Sequence, residues 1–140
     1  MALPNTGGGY QVGDGNTSEL QIGTQAAPQT ATDTATLTAA QVTGGILVGD
    51  PSTSAASYTL PTAAAIDAVM VNAKVNSTFD LVIVNLGTSS GVITVVTGTG
   101  IITVGNLIVA ITGSAAGVGG AAQFRFRKTG VAAWTMYRIA

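Results

Sequence analysis

Cysteine and histidine are both absent from this 140-residue chain. Disulfides, thiol nucleophiles, zinc fingers and imidazole bases are therefore excluded together. Charge is nearly as scarce. Lys and Arg number 5, Asp and Glu number 6, and charged residues make up 8% of the chain, where ordinary globular proteins carry about a quarter. The net charge of -1 gives no bulk attraction to nucleic acid or to an anionic membrane. Uninterrupted apolar runs are missing as well. The longest apolar window, 92–111, is broken by Gly98, Gly100, Gly105 and Asn106, so it reads as short strands and not as a membrane helix. The first residues carry neither a basic nor an apolar stretch, so no signal peptide is expected.

What remains is 46% hydrophobic, with a polar complement of Thr, Ser, Gln, Asn and Gly. A soluble monomer relies on surface charge to stay dispersed. A chain with so little suits a protein whose outside is covered by copies of itself or by a larger assembly. The length fits one domain with a core of its own.

Residues 1–33 differ in composition from the rest. They are rich in Gly, Thr, Gln and Asn, and Tyr10, Leu20 and Ile22 are among their few large apolar residues. Alone, such a segment buries too little to offset its ordering entropy. It is read as an extended N-terminal arm laid against a neighbour, with Leu20 and Ile22 at strand spacing for addition to a sheet edge.

Residues 34–140 read as a β-rich body. Thr38-Ala39-Ala40-Gln41 has the form of a capping box ahead of one helical turn. Pro61 ends a strand, and Thr62 caps a short helix whose stripe is Ile66, Val69 and Met70. Phe79 to Asn85 carries apolar residues on both faces: Phe79, Leu81 and Ile83 on one, Val82 and Val84 on the other. That pattern calls for cover on both sides. Ile66, Met70, Val82 and Val84 are accordingly candidates for core or subunit contacts. Thr88-Ser89-Ser90-Gly91 has hairpin length. In the last hairpin Phe124 and Phe126 alternate with Arg125 and Arg127. Many short strands between Gly, Asn and Ser turns predict an all-β, antiparallel β-sandwich or jelly-roll, or a small barrel, carrying one short helix.

Chemistry is thinly represented. Asp67 and Asp80 are a carboxylate pair by count only, and nothing in their spacing makes them an acid–base couple. Asp14 to Glu19 resembles the opening of a calcium loop but lacks its glycine and closing glutamate. The Gly-rich stretches at 98–100 and 117–120 precede no helix, so neither is a phosphate loop. The cations cluster late. Arg125, Arg127 and Lys128 are read as a basic surface, and the opposite facing of Phe and Arg along that strand argues against a nucleic-acid platform. The expectation is a non-enzymatic protein without metal or cofactor.

The segments TATLTAAQVTGGILVGDP, SYTLPTAAAIDAVM, STFDLVIVNLG, VVTGTGIITVGN and WTMYRI, spread over 34–140, resemble small virion proteins of tailed phages, including cyanophages, that act as capsid cement or decoration proteins. The resemblance implies a homotrimer on the outer surface of the capsid, with a β-sandwich or β-tulip-like body, bound to the major capsid protein through the N-terminal arm. A fibre, spike or receptor-binding module is the alternative. A glycan-binding adhesin would need an exposed aromatic groove built from Tyr10, Tyr58, Trp134 or Tyr137.

Overall fold

The computed structural model describes residues 23–111 and 120–140. The elements run β1 (Gln29–Thr32), β2 (Ala35–Thr36), α1 (Ala39–Thr43), β3 (Ile46–Asp50), β4 (Ala56–Thr59), α2 (Ala63–Val69), β5 (Thr78–Asn85), β6 (Ile93–Val96), β7 (Ile101–Val104), β8 (Ile108–Val109), β9 (Ala121–Gly130) and β10 (Ala133–Arg138). The protein is mostly β, with two mixed sheets and two short helices. One sheet has the order β1-β3-β5-β9-β10-β7 and the other β2-β4-β6-β8.

The chain alternates between the sheets from β1 to β8. Up to β6, each return to a sheet lays the new strand parallel to the one before: β1 on β3 and β3 on β5 in the larger sheet, β2 on β4 and β4 on β6 in the smaller. An antiparallel body was expected, and this corrects it. Parallel neighbours need a crossover connection, and here the crossover is a strand of the other sheet. The turn at 88–91 accordingly joins different sheets and makes no hairpin. Among the described residues, antiparallel pairing appears only where β9 inserts between β5 and β10, and where β8 adds to β6.

Small side chains and buried polar groups set the corners of this winding. Ala31, Gly49 and Asn85 stand side by side on β1, β3 and β5. The Tyr58 ring lies over Gly49, where an added Cβ would sit 2.8 Å from its Cε2 and 2.6 Å from Ile93 Cδ1. The Tyr58 hydroxyl donates to the Ala31 carbonyl at 2.9 Å, tying the smaller sheet to the larger. Burial pushes the Tyr58 phenol above its ordinary pKa, with the Asp50 charge adding to the effect. Asn85 is fully buried. Its amide nitrogen donates to the carbonyls of Gly91, Val109 and Ala110 at 2.9–3.1 Å, and its oxygen accepts from Gly87 N–H at 2.8 Å. Asn85 thus satisfies backbone groups that a change of sheet leaves without ladder partners.

Both helices lie where the chain returns from the smaller sheet to the larger. Two helices are present among the described residues, the single turn expected after Thr38 being the five-residue helix α1. α1 starts with a complete capping box: Gln41 N–H donates to Thr38 Oγ1, and the Gln41 side chain accepts from Thr38 N–H. Gln41 Nε2 also donates to the Thr30 carbonyl at 2.8 Å, fastening α1 to β1. In α2 the Thr62 hydroxyl accepts from Ala65 N–H, a cap of about 1 kcal/mol. Ala63 and Ile66 are its buried residues. Val69, expected in the buried stripe, is 50% exposed, because the helix ends there and the chain turns away at Met70.

One buried cluster draws on both sheets and both helices. It includes Val42, Leu47, Tyr58, Ile66, Leu81, Ile83, Phe124, Phe126, Trp134 and Met136. Phe79 stacks on Phe126 with ring centres 4.7 Å apart and meets Trp134 edge-on at 5.3 Å. The larger sheet begins at Gln29, so the last residues of the segment read as an arm form its edge strand.

Candidate interaction surfaces

The charged side chains are positioned first by strand alternation and then by their partners. On β5 and β9, Asp80 and Arg125 stand directly opposite each other. Arg125 Nε and Nη2 donate to the two carboxylate oxygens at 2.7 and 2.8 Å, and Gln123 Nε2 adds a third bond at 3.1 Å. The Arg125 hydrogen bonds hold the Asp80 carboxyl below its ordinary pKa. Arg127 donates to Asn76 Oδ1 and to the Tyr137 hydroxyl. These contacts occupy the outward face of the larger sheet.

Lys128 is placed elsewhere. It shares strand parity with Phe124 and Phe126, and only 12% of its side chain is exposed. Its ammonium donates to Asp67 Oδ1 on α2 at 2.9 Å and lies 5.8 Å from the centre of the Trp134 ring. Asp67 also accepts from Trp134 Nε1 at 2.8 Å and from Ala132 N–H at 2.9 Å. The Lys128 bond first, and the Ala132 bond after it, lower the Asp67 pKa. Of the expected basic surface, then, Arg125 and Arg127 face outward while Lys128 is drawn inward as the bridge from the last hairpin to α2. Arg138 turns back on the chain, donating to the carbonyls of Asn106, Ile108 and Ala140 and lying over the Phe124 ring.

Asp67 and Asp80 belong to separate networks, and both are held ionised by cationic donors. A general acid needs the opposite, a pKa raised towards neutrality. Among the described residues every buried side-chain nitrogen and oxygen has a hydrogen-bond partner. No group of three or more metal-ligating side chains gathers among them. No helix among them is long and apolar enough to cross a membrane. Of the three Tyr and Trp residues described, Tyr58 and Trp134 are buried, and Tyr137 is half-buried beside Arg127.

The other candidate residues separate by face. Ile66 lies in the core and Met70 packs against it. Val82 and Val84 stand on the outward face of β5, half-buried, beside Ile46 and Val48 of β3. Tyr10, Leu20 and Ile22, and the calcium-like loop at 14–19, lie outside the described residues.

Exposed apolar side chains occur on several elements. Beyond α2 an open depression of about 400 Å³ is lined by Val69, Met70, Val71, Asn72, Ala73, Ser77 and Thr78, with Val71 76% exposed. Ile102 and Val104 project from β7 in the larger sheet and Ile108 from β8 in the smaller, at 66%, 49% and 47% exposure. Sequence reading passed over these three residues. The available signal was the composition of 81–124, which holds neither a charged residue nor a proline. No protein-family model, curated protein or solved structure matches the chain.

Proposed function

We propose that the chain is a structural virion protein: a homotrimeric cement or decoration protein that binds the major capsid protein on the outer surface of a phage head. The observation that carries this reading is the way charge is spent. Arg125, Arg127, Lys128 and Arg138 all bond to groups within the chain, while Val71, Ile102, Val104 and Ile108 stay open to solvent. Cations whose hydrogen bonds are made within the chain leave these apolar side chains as the part of the outside suited to packing against protein. The resemblance over 34–140 supports the phage setting. In this reading the two sheets are the layers of a sandwich, supported by the single core they share and by the Tyr58–Ala31 bond between them.

Function would follow from number and not from chemistry. A modest contact per copy becomes a strong brace when three linked copies engage neighbouring capsomers together, because each later contact forms at high effective concentration. Residues 1–22 are proposed as the arm that grips the shell. The test is binding of purified chain to expanded capsids, compared with a chain lacking residues 2–22. The truncation spares β1, whose removal would strip Ala31 from Tyr58. Unchanged binding by the shortened chain would refute the role of the arm. Counting copies per particle separates this reading from the fibre or spike alternative, which requires only a few.

A further inference from the structure

We propose that residues 17–22 of this chain seat on its own body, over the depression beyond α2, and anchor the segment that precedes them. The inference goes beyond the virion reading and does not rest on it, since residues 1–16 stay available to a partner.

The depression lies at the end of the molecule from which this segment leaves. β1, β3 and β5 run parallel, so all three begin at one end, and α1 and α2 lie there as the lead-ins to β3 and β5. β9 runs against β5, which brings the turn between β9 and β10 to the same end. The chain enters β1 from this end too. Gln25 Nε2 donates to the Gly44 carbonyl at 2.7 Å, and the next carbonyl, that of Gly45, accepts from Val82 N–H of β5 at 2.9 Å. Thr78 lines the depression and stands four residues down β5 from Val82, about 13 Å. Ile22 and Leu20 are three and five residues from Gln25, a reach of about 10 and 17 Å.

The loop after α2 is tied in place and still presents apolar side chains to water. Ala73 N–H donates to the Met70 carbonyl and Ser77 N–H to that of Lys74, both at 2.9 Å. Asn76 N–H donates to the Lys128 carbonyl and Lys128 N–H to that of Ser77, again at 2.9 Å. On this frame Val71 and Val75 are 76% and 59% exposed.

Charge selects the occupant. Among the described residues the ion pairs are Asp80–Arg125 and Asp67–Lys128. Lys74 is exposed, and Arg127 bonds to Asn76 and to the Tyr137 hydroxyl, so neither has a carboxylate there. Residues 1–22 hold Asp14 and Glu19 and neither Lys nor Arg. In an extended Glu19-Leu20-Gln21-Ile22 the side chains of Leu20 and Ile22 fall on one side. They cover Val71 and Val75, and Glu19 meets Lys74 at the rim. An exposed ion pair is weak alone, but a tether this short gives it a high effective concentration.

The experiment uses the absence of cysteine to place a disulfide in the full chain. Gln21→Cys with Val71→Cys keeps Leu20 and Ile22, and should close within one chain about tenfold faster than Gln21→Cys with Leu86→Cys. Leu86 is the matched control: it is 52% exposed, and it lies four residues up from Val82 where Thr78 lies four down. Mass and thiol counting read the closure, and circular dichroism reads the fold. If Val71→Cys disturbs the fold, Val75→Cys takes its place. Glu19→Lys should slow closure at Val71→Cys about two- to fivefold, and Lys74→Glu added to it should restore the rate, which tethering alone would not do. Leu20→Ser with Ile22→Ser should bring closure down to the control rate. Equal closure at the two ends overturns the proposal, as does a preference that survives loss of Leu20 and Ile22. Disulfides that join two copies also overturn it, and assign the depression to a neighbour's segment.

Discussion

The carboxylate of Asp67 accepts a hydrogen bond from the indole nitrogen of Trp134 at 2.8 Å, across 67 residues of chain. The same carboxylate holds the Lys128 ammonium and the Ala132 amide. One side chain on a seven-residue helix therefore fixes both arms of the final hairpin and its turn, where Ala132 takes a φ of 48°. A helix this short is unstable alone, so the dependence is mutual.

Asp67→Ala is expected to cost about 2–3 kcal/mol, because it strands an ammonium and two N–H donors that are partly or wholly withdrawn from water. Asp67→Asn keeps one acceptor and should cost less. Urea denaturation measures both, and Trp134 fluorescence should shift to the red in the Ala variant. Equal stability of Asp67→Ala and wild type would refute the role given to this carboxylate.

Acid should weaken the fold through Asp67 and Asp80. Both carboxyls have folded pKa values below the ordinary one, chiefly through hydrogen bonds from Lys128 and Arg125. A depressed folded pKa contributes stability that is fully present above the unfolded value, about 3.9, and disappears as pH falls through the folded one. The urea midpoint should stay level from neutrality to about pH 5 and drop below about pH 4. In Asp67→Asn with Asp80→Asn the drop should be shallower. A double variant with the same acid slope as wild type would place the acid sensitivity elsewhere.

Gly49→Ala should destabilise by about 1–3 kcal/mol, the usual cost of forcing atoms into a filled core, since its Cβ would press on Tyr58 and Ile93. Tyr58→Phe should cost about 1–2 kcal/mol by leaving the buried Ala31 carbonyl without its donor. The two residues touch, so their effects should not add. A double-mutant cycle with no coupling would contradict the contact.

Asn85→Asp is the sharpest test of the corner. An ionised aspartate cannot donate to the carbonyls of Gly91, Val109 and Ala110, and burial raises its pKa. The variant should be markedly less stable than wild type at neutral pH, by more than about 3 kcal/mol, and the gap should narrow at about pH 5 as the carboxyl takes a proton. Asn85→Ala should show no such narrowing. A pH-independent deficit in the aspartate variant would refute the buried donor role.

Much of the local structure was legible in the sequence. Thr38 with Gln41 and Thr62 before three alanines announced both helix starts, and the Phe124–Arg127 alternation announced which way that strand faces. Pairing was not legible. A strand packed on one face alternates identically whether its neighbour arrives through a tight turn or after a passage through a second layer. The cues that separate these cases are single residues, Gly49 beneath a tyrosine ring and Asn85 bonded to three carbonyls, and their meaning appears only when the layers are assembled. Lys128 was misplaced for a related reason: its strand parity points inward, but only Asp67, distant in sequence, makes that position tolerable for an ammonium. Ile102, Val104 and Ile108 were legible as strand residues and illegible as surface, because a two-faced apolar strand reads the same in a core or at an edge.

The alternation of β1 to β8 between two sheets has a kinetic consequence. No continuous piece of the chain contains two neighbouring strands of the parallel stacks without a strand of the other sheet between them, so the two layers must form together. Closing the intervening loops must precede the reward for pairing, which slows folding. Docking half-made layers is not an available route. The body should pass from coil to native state in a single slow step, and a nascent chain should hold little of its final shape until β9 and β10 have been synthesised.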